Sequence, residues 1–141
     1  MFSTLRLMGL AAISLIAAGG AANAQSRPDL GKREFETNCA MCHGQDGKGG
    51  GVMTTYLTRS PTDLTTLARA NGGILPMDRM FAVIEGARDV PAHGTREMPA
   101  WGKDYRAEAA RLYFEVPYDP EVVVRAKVLS LIEYINRLQV K

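Results

Sequence analysis

The sequence predicts an all-α fold. Four segments are bracketed by helix-start and helix-stop residues, the last of them has aliphatic residues spaced by alternating fours and threes, and no stretch sustains a period of two. The first helix is expected from about Pro28 to Asn38, with Pro28 near its first turn. It contains Gly31, which costs about 1 kcal/mol against Ala inside a helix and suits a place where another backbone comes close. The cluster Gly44, Gly47, Gly49, Gly50 and Gly51 reads as a loop. A second helix opens at Ser60-Pro61 with Asp63 in its first turn and closes at Asn71-Gly72-Gly73. The third starts around Pro76, puts Met77, Met80, Phe81 and Ile84 on one face, and stops at Gly86. Residues 87–101 carry Pro91, Gly94 and Pro99 with little periodicity and read as a functional loop, and a short helix is expected over 103–113. The fourth helix is capped by Asp119 with Pro120 at its first position, and Val124, Val128, Leu131, Ile135 and Leu138 form its apolar stripe.

The N-terminus looks like a processing segment. Arg6 is the only charge in the first 24 residues, Leu7–Ala18 is apolar, and small residues end in Ala22-Asn23-Ala24. These are the marks of a secretory signal peptide over 1–24, and the apolar run is shorter than the roughly 20 residues a membrane-spanning helix needs. One domain, 25–141, remains. Removal takes one of the 17 basic residues and none of the 15 acidic ones, leaving sixteen against fifteen, a formal charge of +1. That balance argues against nucleic acid as a partner, which demands a clustered basic excess.

The chain has only two cysteines, and they lie in Cys39-Ala40-Met41-Cys42-His43. In C-x-x-C-H, two thiols on one helical turn can each form a thioether to a haem vinyl group, and the adjacent imidazole is carried under the iron. A thioredoxin-type dithiol would need a strand–helix context, and a structural zinc site would need four ligands where only Cys39, Cys42, His43 and His93 are on offer. A plain disulfide would leave His43 and the glycine loop unexplained. For a second axial ligand the candidates are Met41, Met53, Met77, Met80 and Met98. Met98 stands out because it lies in a non-helical segment far downstream and Pro99 restricts its backbone to an extended form. His93 is the rival, and a His/His site would have a lower potential than a His/Met one.

From Leu30 to Gln139 the chain resembles the class I cytochromes c, specifically the small bacterial mono-haem members, through Cys39–His43, Met98-Pro99 with Trp101-Gly102, and the two terminal helices. The resemblance implies three to five helices around one covalent haem c, with crossed N- and C-terminal helices. Gly31 and Phe35 would then pack against Tyr134. It also implies a proline carbonyl that orients the proximal histidine, for which Pro61 is the equivalent, and haem or propionate contacts from Trp101 and Tyr56. The stretch 104–118 is longer than the simplest members need. The implied function is one-electron transfer in the periplasm between a donor and an acceptor protein, with no membrane span after signal cleavage. Lys48, Arg59, Arg96 and Lys103 are placed to steer an acidic partner. Two alternatives stand beside it: a cytochrome subunit of an exported dehydrogenase or other oxidoreductase complex, and a haem enzyme or gas sensor whose second axial position is open.

Overall fold

The computed structural model describes residues 27–87, 98–113 and 119–140; the expected signal peptide, His93 and Arg96 lie outside them. Among the described residues five α-helices follow in order: α1 (Leu30–Asn38), α2 (Ala40–His43), α3 (Met77–Glu85), α4 (Trp101–Leu112) and α5 (Pro120–Arg137). Three short 3-10 turns lie between α2 and α3, and no strand occurs among the described residues. The all-α expectation holds.

The first and last helices each start where an aspartate side chain takes up an amide of the first turn. The Asp29 carboxylate accepts the Lys32 amide at 2.9 Å to open α1, and Asp119 accepts the Glu121 amide at 3.0 Å to open α5, with Pro120 at its first position. Pro76 precedes α3, and Gly86 ends it in the left-handed region. Met80 and Ile84 of α3 are buried as expected, but Met77 is 49% exposed, one turn too early to reach the core. Helix α4 begins two residues before the expected start and buries Gly102, Tyr105 and Ala109.

The helix expected over residues 60–73 is not there. Two 3-10 turns, Leu64–Thr66 and Arg69–Asn71, take its place. The reason is competition for backbone groups. The Asp63 carboxylate binds both the amide and the hydroxyl of Thr65, at 2.8 and 2.7 Å, which also lowers its pKa below the usual carboxylate range. The Leu64 amide donates to the Gly47 carbonyl at 2.8 Å and the Val140 amide to the Thr65 carbonyl at 2.9 Å. The Gln139 side chain bridges the Ala68 amide and the Leu64 carbonyl. Groups that a continuous helix would pair internally are held instead by the glycine loop and the C-terminal segment.

The core is built on α5. Val124, Val128, Leu131, Ile132 and Ile135 are buried, and Leu138 is half-buried, so the stripe is wider than the spacing suggested because Ile132 joins it. Its most extensive helix contact is with α1. There a Cβ at position 31 would lie 2.0 Å from the Ser130 carbonyl oxygen, a separation that only hydrogen in place of a side chain permits. Just beyond, the rings of Phe35 and Tyr134 meet at 5.2 Å, tilted by 46°. The expected trio of Gly31, Phe35 and Tyr134 is therefore in place. Arg106 of α4 ties the other helices together, with its guanidinium on Glu85 of α3 and Glu121 of α5, each at 2.5 Å.

Gly31→Ala should lower the stability of the protein by about 1–3 kcal/mol, because overpacking outweighs the gain in helix propensity. Thr37→Ala, on an exposed face of the same helix, should change it by under ~0.5 kcal/mol. Urea midpoints of the two variants check this, and equal midpoints would refute the close crossing.

Candidate cofactor site

At Cys39 the chain leaves α1 and starts a second, one-turn helix. Cys39 closes α1, with its amide on the Phe35 carbonyl, and opens α2. Within that turn the Cys42 and His43 amides both return to the Cys39 carbonyl, at 3.1 and 2.9 Å. The spacing of the motif thus becomes one helical turn with both sulfurs and the imidazole rooted in it. The glycine loop folds back onto this turn. The Gly49 amide donates to the His43 carbonyl at 2.7 Å, and the Gly51 amide to the Cys42 carbonyl at 3.1 Å. A Cβ at Gly51 would sit 2.3 Å from the Met41 carbonyl oxygen, so the loop can close over α2 only with glycine there.

His43 Nδ1 lies 3.0 Å from the Thr62 carbonyl oxygen. A carbonyl can only accept, so Nδ1 carries the hydrogen and Nε2 keeps its lone pair for a metal. The sequence-based expectation assigned this orienting carbonyl to Pro61. It belongs to the next residue, because the Pro61 carbonyl is directed at Gly49, 2.4 Å from where a Cβ there would be.

Cys39, Cys42 and His43 line a cavity of about 430 Å³, a size usual for small-molecule and cofactor sites. Met98 and Trp101 line it too, as does the side of Pro61. Met98 is half-buried against the core, and Trp101 opens α4 and stacks on Tyr105 with ring centroids 6.5 Å apart. Met41 and Met80 also reach the cavity, whereas Met53 and Met77 are not among its lining residues. Tyr56 is not brought there either: it ends a 3-10 turn that projects it outward, 79% exposed, and Leu57 and Arg59 line the cavity instead. Sequence reasoning missed Thr62, Asn71 and Arg79. Thr62 acts through its backbone, which no side-chain pattern reports, and Asn71 and Arg79 are polar residues that only the fold turns toward one wall.

The chemistry of this lining suits haem c. Leu57, Leu64, Leu67, Val83, Ile84 and Leu131 supply an apolar interior, and Arg59 and Arg79 supply two guanidiniums for a porphyrin's carboxylates. The donor set of imidazole nitrogen and thioether sulfur is one that haem iron accepts. Cys39 and Cys42 are free thiols, as thioether formation requires. The Cys39 thiol is pushed up to about 12, chiefly by burial and then by Glu34 and Cys42. A redox dithiol needs the opposite shift, toward thiolate at neutral pH. No cluster of three or more His, Cys, Asp and Glu side chains gathers among the described residues; His93, the fourth ligand a zinc site would need, lies outside them.

A family model described as cytochrome c oxidase, cbb3-type, subunit III matches residues 26–112. The matched segment runs from before α1 to the end of α4 and contains Cys39, Cys42, His43, Met98 and Trp101. Comparison with curated proteins and with solved structures returns no match. With more than half of the chain matched, helices and no strands among the described residues, and the Cys39–His43 turn lining an apolar cavity, the chain belongs to the cbb3-type cytochrome c oxidase subunit III family of c-type cytochrome domains, whose chemistry is haem-based electron transfer.

Proposed function

We propose that this protein is a periplasmic one-electron carrier with a single haem c, attached through Cys39 and Cys42 and ligated by His43 and Met98, after removal of residues 1–24. One observation carries the reading: Cys39, Cys42, His43 and Met98 all line the same apolar cavity. Haem c, when bound, supplies a reversible one-electron Fe(III)/Fe(II) couple.

The residues of the chain then have separate tasks. The Thr62 carbonyl fixes the ring plane and basicity of His43. Met98 would supply a thioether sulfur to the iron, a ligand that raises the potential above that of a second histidine. With both positions taken there is no open site for oxygen or peroxide, which separates this reading from a haem enzyme or gas sensor. Leu64, Leu67 and Leu131 keep water out, and Arg59 and Arg79 offset the porphyrin carboxylates. Met41, beside the cavity, is 52% exposed, and Lys48, Arg59 and Lys103 are exposed cations that favour an acidic donor or acceptor.

A second reading keeps the chemistry and changes the setting: a cytochrome subunit of an exported oxidoreductase complex. The family description, which names an oxidase subunit, favours it. No described helix is long and apolar enough to cross a membrane. A partner that co-purifies at constant stoichiometry would support this reading over a free shuttle.

Protein matured in a haem-attaching host should have the mass of residues 25–141 plus one haem. Its oxidised spectrum should show a sulfur-to-iron charge-transfer band. Met98→Ala should lose that band and lower the midpoint potential, while Met80→Leu should keep both near wild type. A band that survives Met98→Ala would refute the ligand assignment, and colourless wild type of bare polypeptide mass would refute the function.

A further inference from the structure

Electron transfer as derived above leaves one buried charge without a task. Glu34 of α1 is only 5% exposed. Its carboxylate accepts from Asn38 Nδ2 and from Lys127 Nζ, each at 3.0 Å. Lys127 of α5, its side chain 14% exposed, also donates to Glu108 of α4 at 2.6 Å and stands 4.9 Å over the ring of Tyr105. Burial acts to lower the Lys127 pKa, but its hydrogen bonds to Glu108 and Glu34 raise it by more, so the ammonium stays charged. Three helices therefore bring two carboxylates to one ammonium, a cluster with one net negative charge.

Stability does not account for such a cluster. Desolvating buried ions costs about as much as their attraction returns, and well-packed apolar replacements are often as stable or more so. The position of the cluster is more telling. Asn38, which Glu34 holds, lines the cofactor cavity beside Cys39, and the charge of Glu34 acts on the Cys39 thiol, after burial the next cause of its raised pKa. A buried negative charge next to a thioether is felt at the metal with little screening by salt, because solvent is excluded. It favours the more positive, oxidised state of a redox centre.

We propose that Glu34 is a potential-setting residue: its buried carboxylate, clustered with Lys127 and Glu108 beside the Cys39 attachment, holds down the reduction potential of the attached haem. The proposal rests on the reading that haem c is bound at Cys39 and Cys42. The electron comes from the donor protein and leaves to the acceptor. Glu34 exchanges neither electron nor proton and acts only by its charge.

The test is a spectroelectrochemical titration of intact haem-loaded protein. Glu34→Gln keeps the size of the side chain and one acceptor oxygen, enough for Lys127 or Asn38 but not for both, while removing the charge. Poised at the wild-type midpoint, it should shift the ferrous-to-ferric ratio upward by roughly tenfold, about 59 mV for a one-electron couple. Glu108→Gln, on a side chain 39% exposed, should shift it the same way but less, and Glu34→Asp should return it toward wild type. Loosened packing would admit water to the cofactor and move the potential downward, so the sign separates charge from structural damage. A Glu34→Gln ratio that falls, or stays within twofold of wild type, would overturn the proposal. Should Glu34→Gln yield no haem-loaded protein, an unmoved Glu108→Gln would overturn it equally. Wild type that cycles reversibly while the variants stay flat sinks this proposal alone; wild type without haem sinks the functional reading with it.

Discussion

The contact on which the rest of this molecule depends is the crossing of its first and last helices, where the Ser130 carbonyl occupies the space a side chain at position 31 would need. Close approach brings Phe35 against Tyr134 and lets α5 present Val124, Val128, Leu131 and Ile132 to the interior. It also sets the direction in which α1 delivers its C-terminal end. Cys39 closes that helix, so the position of the attachment turn follows from a contact more than two helical turns away. Leu131 and Ile135 belong both to the core and to the cavity lining. The helix that seals the fold is thus also a wall of the cofactor site, and a small core of this size gains stability from any ligand that binds only the folded state.

The second constraint is the way the segment from Gly44 to Asn71 is held. It contains no α-helix, only 3-10 turns and loop, yet it carries the Thr62 carbonyl that fixes the tautomer of His43. Its rigidity comes from outside itself. Gly47, Leu64, Thr65 and Ala68 bond across the segment or to Gln139 and Val140, and Gly49 and Gly51 bond back to the attachment turn. The histidine is therefore oriented by a chain of hydrogen bonds that ends at the C-terminal segment.

What could be read from the sequence was what rests on local chemistry. Caps such as Asp119-Pro120, the stop at Gly86, the four-and-three stripe of α5 and the Cys39–His43 spacing all act within a few residues, and all are found where expected. Gly31 was readable for a related reason: a glycine in mid-helix is costly enough to imply a neighbour. The errors came where distant partners decide. Residues 60–73 have respectable helix signals, but the glycine loop and Gln139 compete for the same backbone groups. The resemblance points to Pro61, but the carbonyl that meets His43 is that of Thr62, and a backbone acceptor leaves no mark in a sequence. Tyr56 was chosen for its aromatic ring, although a 3-10 turn, with three residues per turn, sends it to solvent.

The ion pair between Asp29 and Arg137 joins side chains 108 residues apart in sequence, and that has a bearing on folding speed. Almost the whole described chain is the loop that has to close before the two ends can meet, and the entropy cost of closing it grows with its length. Contacts of such separation are slow to form, whereas the turn at Cys39 closes within its own motif. Local turns come first and the ends meet last.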